Sequence, residues 1–342
     1  MRVFPRVLIG CVVLSLGLAV SRANAERHFA QFAPPRGSDP LPSERRQQQQ
    51  DLEADYRVSA LQAGADGSLW VGSWQGLARI DPNTGRIQSR IALPDTAIGA
   101  IARDRVGRIW IGTYSGLFGV DPDTNEVAAH NFTLPSNRIL SLLVDDRGYL
   151  WVGSDRGLAL ISPDRGLTMT TLQDLPGVSA NTLALDPQGQ LWVGTLEGLV
   201  RVNTASAMVM DRVTGIPGTT VQALATDGNG TLWIGTPSGL FSTNASNPQG
   251  QMAIAPLQGR SVQTLRFDRD GKLWVGTDSG LFRYDPASSR IFNQVTNLPS
   301  GRIFSVSPNT GNKLWIGTSE GLAWVGSGTY RAKPHLAFVA NN

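Results

Sequence analysis

An all-β, seven-bladed β-propeller of four-stranded antiparallel blades is the fold this sequence predicts, on two observations. Seven tryptophans, Trp70, Trp110, Trp151, Trp192, Trp233, Trp274 and Trp315, recur at intervals of 40 or 41 residues. Each opens one phrase: LWVGSWQGL, IWIGTYSGL, LWVGSDRGL, LWVGTLEGL, LWIGTPSGL, LWVGTDSGL and LWIGTSEGL. A period near 41 made of short alternating runs is the length of one four-stranded blade, and seven such blades close a ring.

Ahead of the repeats, residues 1–25 read as a secretory signal peptide. Arg2 and Arg6 form its basic region, an apolar stretch runs from Val7 to Val20, and Ala23-Asn24-Ala25 is the cleavage site. Cys11 after Leu8-Ile9-Gly10 superficially matches a lipobox, but cleavage there would strand a long apolar run behind it. No second apolar run of membrane length follows, so a periplasmic or secreted protein with no stable membrane insertion is expected. Beyond Cys11 the sequence has no cysteine, which excludes disulfides, thiolate nucleophiles and sulfur ligands from the processed form. Removing Arg2, Arg6 and Arg22 leaves 27 basic against 27 acidic side chains. A neutral chain lacks the concentrated positive field that nucleic acid needs, so no nucleic-acid partner is expected.

Residues 26–55 are polar, with Pro34-Pro35, Pro40, Pro42 and the run Arg45 to Gln50, and read as a flexible leader. Within it, His28 to Ala33 has the apolar content to supply a strand that latches the ring from the opposite terminus. Residues 56–342 are the propeller, with regular structure beginning near Arg57.

Blade six serves as the pattern: strands at Ser261–Phe267, Lys272–Thr277, Leu281–Tyr284 and Arg290–Val295, separated by Asp268-Arg269-Asp270-Gly271, Asp278-Ser279-Gly280 and Asp285-Pro286. Short β-rich runs divided by Asp, Gly and Pro are hairpin signals. A Trp placed identically in every repeat is a packing anchor rather than a sugar platform, and each removes about 150–250 Å² from water. The Gly two residues later marks close approach of the adjoining sheet. The Gly of each -GL- pair permits the turn into the third strand. Turns such as Asp104 to Gly107 lack the alternating oxygen ligands of a calcium loop, so no metal or other cofactor is expected. Their Asp is read as bonding its own turn backbone.

The recurring D-x-x-G-x-L-W-V/I-G-S/T-x-x-G-L pattern, from Arg57 to about Val325, resembles the two-component regulator propeller repeat. That resemblance implies the extracytoplasmic sensor half of a hybrid histidine kinase; the kinase itself is not carried over. A more distant resemblance is to streptogramin lyases, propellers that use a histidine base and magnesium. Only His28, His130 and His335 occur here, and none falls at a predicted channel mouth, which disfavours that chemistry.

Because successive strands run antiparallel, the turn between strands two and three shares a face with the entry to strand one. That mouth would gather Trp74, Tyr114, Arg156, Glu197 and Asp278 from the turns, and Arg57, Arg138 and Arg302 from the entries. Two residues beyond the entries lie Ser59, Gly99, Leu140, Asn181, Gln222, Gln263 and Phe304. Aromatic walls with convergent polar groups make these eight mouth residues the candidate ligand site. The expected partner is a small molecule, a glycan or another envelope protein, in a binding and sensory role; an enzyme or an envelope scaffold is the alternative.

The signal assignment predicts that N-terminal sequencing of the protein from its native host finds Glu26 first, in the periplasm or medium. A cytosolic species retaining Met1, or lipid on Cys11, would contradict it.

Overall fold

The computed structural model describes residues 55–94, 97–130, 133–163 and 167–339. The expected signal peptide, Cys11, nearly all of the leader and the His28–Ala33 latch lie outside them. The described chain forms seven four-stranded sheets, each a consecutive antiparallel meander. Blade one comprises Val58–Ala63, Leu69–Ser73, Gly76–Ile80 and Ile87–Ile91. Blade seven comprises Ile303–Thr310, Lys313–Thr318, Gly321–Gly326 and Lys333–Pro334. The first strands touch one another in succession around the ring, and blade seven's touches blade one's.

Each of the seven repeat tryptophans does the same thing: it packs into the following blade. Trp70 lies with Ile98, Ile101 and Ile109 of blade two, and Trp192 with Val221 and Leu232 of blade five. Trp315 closes the circle against Val58, Leu69 and Val71 of blade one. None of the seven is more than 7% exposed. At about 25 cal/mol per Å², each indole contributes on the order of 4–6 kcal/mol of burial, an upper bound because unfolded chains are partly collapsed. Close approach explains the glycine two residues on. A Cβ at Gly194 would sit 2.6 Å from Val221 of the next blade. Farther along, Gly157 turns into the third strand at φ +131°, which a side chain would strain.

The indole nitrogen is satisfied by the turn that precedes its strand. In blade three Asp145 Oδ1 accepts from the Arg147 and Tyr149 backbone N–H groups (2.9 and 3.0 Å), while Oδ2 accepts from Trp151 Nε1 (3.1 Å). The same carboxylate-to-indole bond recurs from Trp110 to Asp104, Trp192 to Asp186, Trp233 to Asp227 and Trp274 to Asp268. These aspartates therefore bond their own turns, as the sequence suggested, and also the anchor. Blades one and seven carry Gly64 and Asn309 at that position, and Trp70 Nε1 and Trp315 Nε1 have no partner.

The fourth strand of blade seven is Lys333–Pro334, paired with Ala323 and Trp324; the His28–Ala33 latch lies outside the described residues. Among the described residues, side chains cross the seam. Phe338 inserts among Val58, Leu69 and Ala78 of blade one. Lys313 Nζ donates to Pro82 O (2.9 Å), and His335 Nε2 bonds Gly85 O (2.7 Å). The outer strand of blade six is shorter than its sequence suggests: only Arg290–Ile291 is regular strand, and the chain beyond it stays attached through Phe292 N to Arg283 O (2.9 Å) and Val295 N to Leu281 O (3.1 Å).

Trp192→Ala should lower stability by roughly 3–5 kcal/mol, as aromatic truncation in a core does, whereas Trp74→Ala should cost little; equal melting in chemical denaturation would refute the distinction. A second expectation concerns Asp66, which pairs with Arg79 and Ser68. Burial opposes its ionisation, but the Ser68 and Arg79 hydrogen bonds outweigh burial and lower its pKa from 3.8 to about 2. Its contribution is therefore full above about pH 4 and is lost as pH falls towards 2. Asp66→Asn should flatten the acid limb of a melting-temperature profile between pH 4 and 2, and an unchanged slope would contradict this.

Candidate functional site

In five of the seven blades a backbone hydrogen bond ties the strand-two turn to the entry of its own first strand, so both stand at one mouth. Trp74 N donates to Arg57 O (3.1 Å), Tyr114 N to Ala97 O (3.2 Å) and Asp155 N to Arg138 O (3.3 Å). Asp278 N donates likewise to Ser261 O (3.0 Å) and Ser319 N to Arg302 O (3.1 Å). Blades four and five are built differently. Their entries turn at Val178 (φ +71°) and Thr219 (φ +54°), and Val221 N bonds Thr195 O of the preceding blade (2.9 Å).

On one side of this mouth, aromatic rings and guanidinium groups pack into one row. The Arg57 guanidinium lies 4.2 Å from the Trp74 ring centre and 5.5 Å from that of Phe304. Trp74 meets Tyr114 edge to face at 6.3 Å, and Arg138 stands 4.6 Å from the Tyr114 ring. The row Phe304, Arg57, Trp74, Tyr114, Arg138 thus draws on blades seven, one, two and three. Asp55 anchors Arg57, with Arg57 N donating to its Oδ1 (2.8 Å) and Nη2 3.6 Å from Oδ2. Each guanidinium–ring contact contributes about 0.5–1 kcal/mol at an exposed site and about 2 when desolvated. Tyr114 remains 42% exposed, and Arg138 is exposed, so flat apolar faces and planar donors are both presented to solvent.

Of the eight mouth residues expected from sequence, the structure joins Arg57, Trp74, Tyr114 and Arg138 in this row. Arg156, Glu197, Asp278 and Arg302 are exposed at the ends of their own blades and share no ring or ion-pair contact with it. Glu197 adjoins a packed turn: a Cβ at Gly177 would lie 2.6 Å from Leu196 and 3.1 Å from Glu197. Phe304 is the member that the site reading passed over. Its signal is an aromatic at a repeat position that elsewhere holds Ser59, Asn181, Gln222 and Gln263.

Below the mouth, polar side chains at that position or one residue beyond it stitch neighbouring first strands together around the channel. Ser59 Oγ donates to Ile98 O (2.5 Å), Ser141 Oγ to Ala180 O (2.8 Å), Asn181 Nδ2 to Val221 O (3.3 Å) and Ser305 Oγ to Val58 O (3.4 Å). Part of the amide arc is thus structural. The bonds enclose a central cavity of about 170 Å³ lined by all seven first strands. Among the described residues, no three His, Cys, Asp or Glu side chains converge on a metal-sized site. His130 belongs to the outer strand Val127–His130, and His335 is held in the seam.

The two-component regulator propeller family model matches residues 92–115, 133–156, 174–197, 215–238 and 256–279. Among solved structures, the extracellular domain of the hybrid two-component system BT3049 from B. thetaiotaomicron is similar at 22% identity and TM-score 0.68, over 79% of this chain and 40% of that one. That of BT4673 from the same organism gives 22% identity and TM-score 0.67, over 80% and 38%. Virginiamycin B lyase from Staphylococcus aureus gives 12% identity and TM-score 0.66, over 78% and 93%. These identities show a shared fold. This chain spans about 40% of the length of the two extracellular domains. No curated protein matches it significantly.

Proposed function

We propose, for a chain built from repeats of the two-component regulator propeller family, that the propeller is a recognition module of the cell envelope. It binds a small molecule or glycan at the mouth of the ring and serves a sensory system. The observation that carries this reading is the row of Arg57, Trp74, Tyr114 and Arg138, with Phe304 behind it. The seven packing tryptophans account for the fold without it, and surface turns have no folding need for stacked guanidinium groups. The aromatic faces offer stacking area to a sugar or ring. The guanidinium forks offer paired donors to a carboxylate, a phosphate or sugar hydroxyls. Arg156, Glu197, Asp278 and Arg302 extend the same mouth as its rim.

Support for a periplasmic or secreted location comes from the signal-like residues 1–25 and from the extracellular setting of the two B. thetaiotaomicron domains. Among the described residues no helix is long and apolar enough to cross a membrane. A lyase reading has less behind it. A histidine-to-alanine variant of the staphylococcal enzyme is catalytically inactive, whereas His335 here is engaged between blades seven and one.

A thermal-shift screen of sugars, organic acids and sugar phosphates against the processed protein should find a ligand, since selective binding to the native state raises its melting temperature. The triple variant Trp74→Ala, Arg138→Ala, Arg302→Ala should fold with near-normal stability and lose at least tenfold in affinity for that ligand by calorimetry. Full affinity in the triple variant would move the site elsewhere.

A further inference from the structure

Among the described residues, blade five is the one blade that sets no cation of its own against its anchor. In the other six, a cation meets either the anchoring indole or the turn aspartate bonded to it. Arg79, Arg108, Arg201, Arg283 and Lys313 stand 5.4–5.7 Å from the rings of Trp70, Trp110, Trp192, Trp274 and Trp315. In blade three, Arg147 Nη2 donates to Asp145 Oδ2 (2.6 Å). These cations come from three repeat positions, and blade five fills all three with neutral side chains, Asn229, Thr231 and Ser242. Ser242 faces Trp233 across the strand pair as Arg283 faces Trp274 in blade six. All three line a cleft of about 710 Å³ between blades five and six, with Trp233 and Asp227 in its wall.

The aspartate registers the difference. In blade six, Asp268 Oδ2 accepts from Trp274 Nε1 (3.1 Å) and from Arg283 Nε and Nη2 (2.9 and 2.6 Å). Asp227 Oδ2 accepts from Trp233 Nε1 (3.3 Å) and, among the described residues, from no other group. The remaining lining carboxylates are engaged: Asp268 and Asp270 by Arg283, and Asp285 by Lys272 (2.8 Å). Arg269 is exposed on its turn. Blade six supplies further aromatic wall, since Phe267 and Tyr284 stand edge to face with Trp233 at 6.4 and 5.5 Å. Tyr284 holds a position that is Ile, Val or Thr in the other six blades. Met252, 67% exposed, adds an apolar side. Aromatic rings beside a carboxylate with spare acceptor capacity select a flat cation on an aliphatic stem.

We propose that this cleft binds an arginine side chain of a partner peptide, whose guanidinium takes the place of the arginine that blades one, four and six supply themselves. The guanidinium bonds Asp227 Oδ2 and lies along the Trp233 indole, while its methylenes pack on Met252. The model for the occupant in the other blades is a side chain rather than a free ion, which is why a peptide arginine fits. The turns that line the cleft join strands one and two, at the opposite end of the blades from the mouth. The site is therefore separate from the mouth and does not depend on the mouth binding anything.

NMR titration of the full processed protein with N-acetyl-arginine amide tests this, with the uncharged isostere N-acetyl-citrulline amide as control. The arginine compound should shift the Trp233 indole N–H resonance saturably, and the citrulline compound should leave it unmoved. Asp227→Asn, which keeps an oxygen for the turn, should weaken the arginine affinity at least tenfold. Ser242→Arg should abolish binding and raise the melting temperature, because the blade then carries its own guanidinium. The triple mouth variant should bind like wild type. Absence of a saturable shift, equal binding of the citrulline compound, or wild-type affinity in Ser242→Arg would overturn the proposal. Should Ser242→Arg fold poorly, wild-type affinity in Thr231→Arg, which copies Arg108 of blade two, would overturn it equally.

Discussion

Each blade of this protein drives an indole into the next, and the rest of the architecture is arranged around that contact. The ring side of the Trp fills the gap between two twisted sheets, which only a large flat side chain can do at this spacing. Its polar edge would be a buried, unpaired donor, and the preceding turn removes that penalty with one aspartate that also closes the turn. Across the strand, an arginine lies over the indole in several blades, as Arg79 does at 5.5 Å from Trp70 and Arg283 at 5.5 Å from Trp274. A single residue thereby couples hairpin geometry, blade packing and surface charge. The glycine two positions on follows from the same contact, because the neighbouring first strand occupies the space its side chain would need.

Where the pattern lapses, the circle is being closed. Trp70 and Trp315 belong to the terminal blades, and both lack the aspartate partner. Terminal repeats are commonly atypical because one of their neighbours is distant in sequence. Here, among the described residues, Phe338, Lys313 and His335 of blade seven secure the seam against blade one.

Confining the folding work to the blade interfaces frees both the mouth and the channel from sequence uniformity. At the mouth, Trp74 and Tyr114 belong to none of the buried clusters that join the blades. In the channel the freedom is narrower. Ser59, Ser141, Asn181 and Ser305 are engaged with the carbonyls of the next blade. Phe304 departs from that pattern and meets Arg57 at the mouth instead.

Blade number, strand order, the anchoring Trp and the turn glycines were legible in the sequence, because each depends on local periodicity repeated seven times. The shared mouth was legible too, since antiparallel strands return to the same end by geometry alone. Tertiary structure decided which mouth residues meet. Arg57, Trp74, Tyr114 and Arg138 converge because blades one to three present them from adjoining first strands and turns, whereas Arg156, Glu197, Asp278 and Arg302 stand apart at their own blade ends. It also decided that Lys333–Pro334 completes the last sheet and that the cleft beside Trp233 opens between blades five and six. Repetition specifies what every blade does alike. What differs between blades acquires meaning only when closure of the ring sets residues tens or hundreds of positions apart side by side.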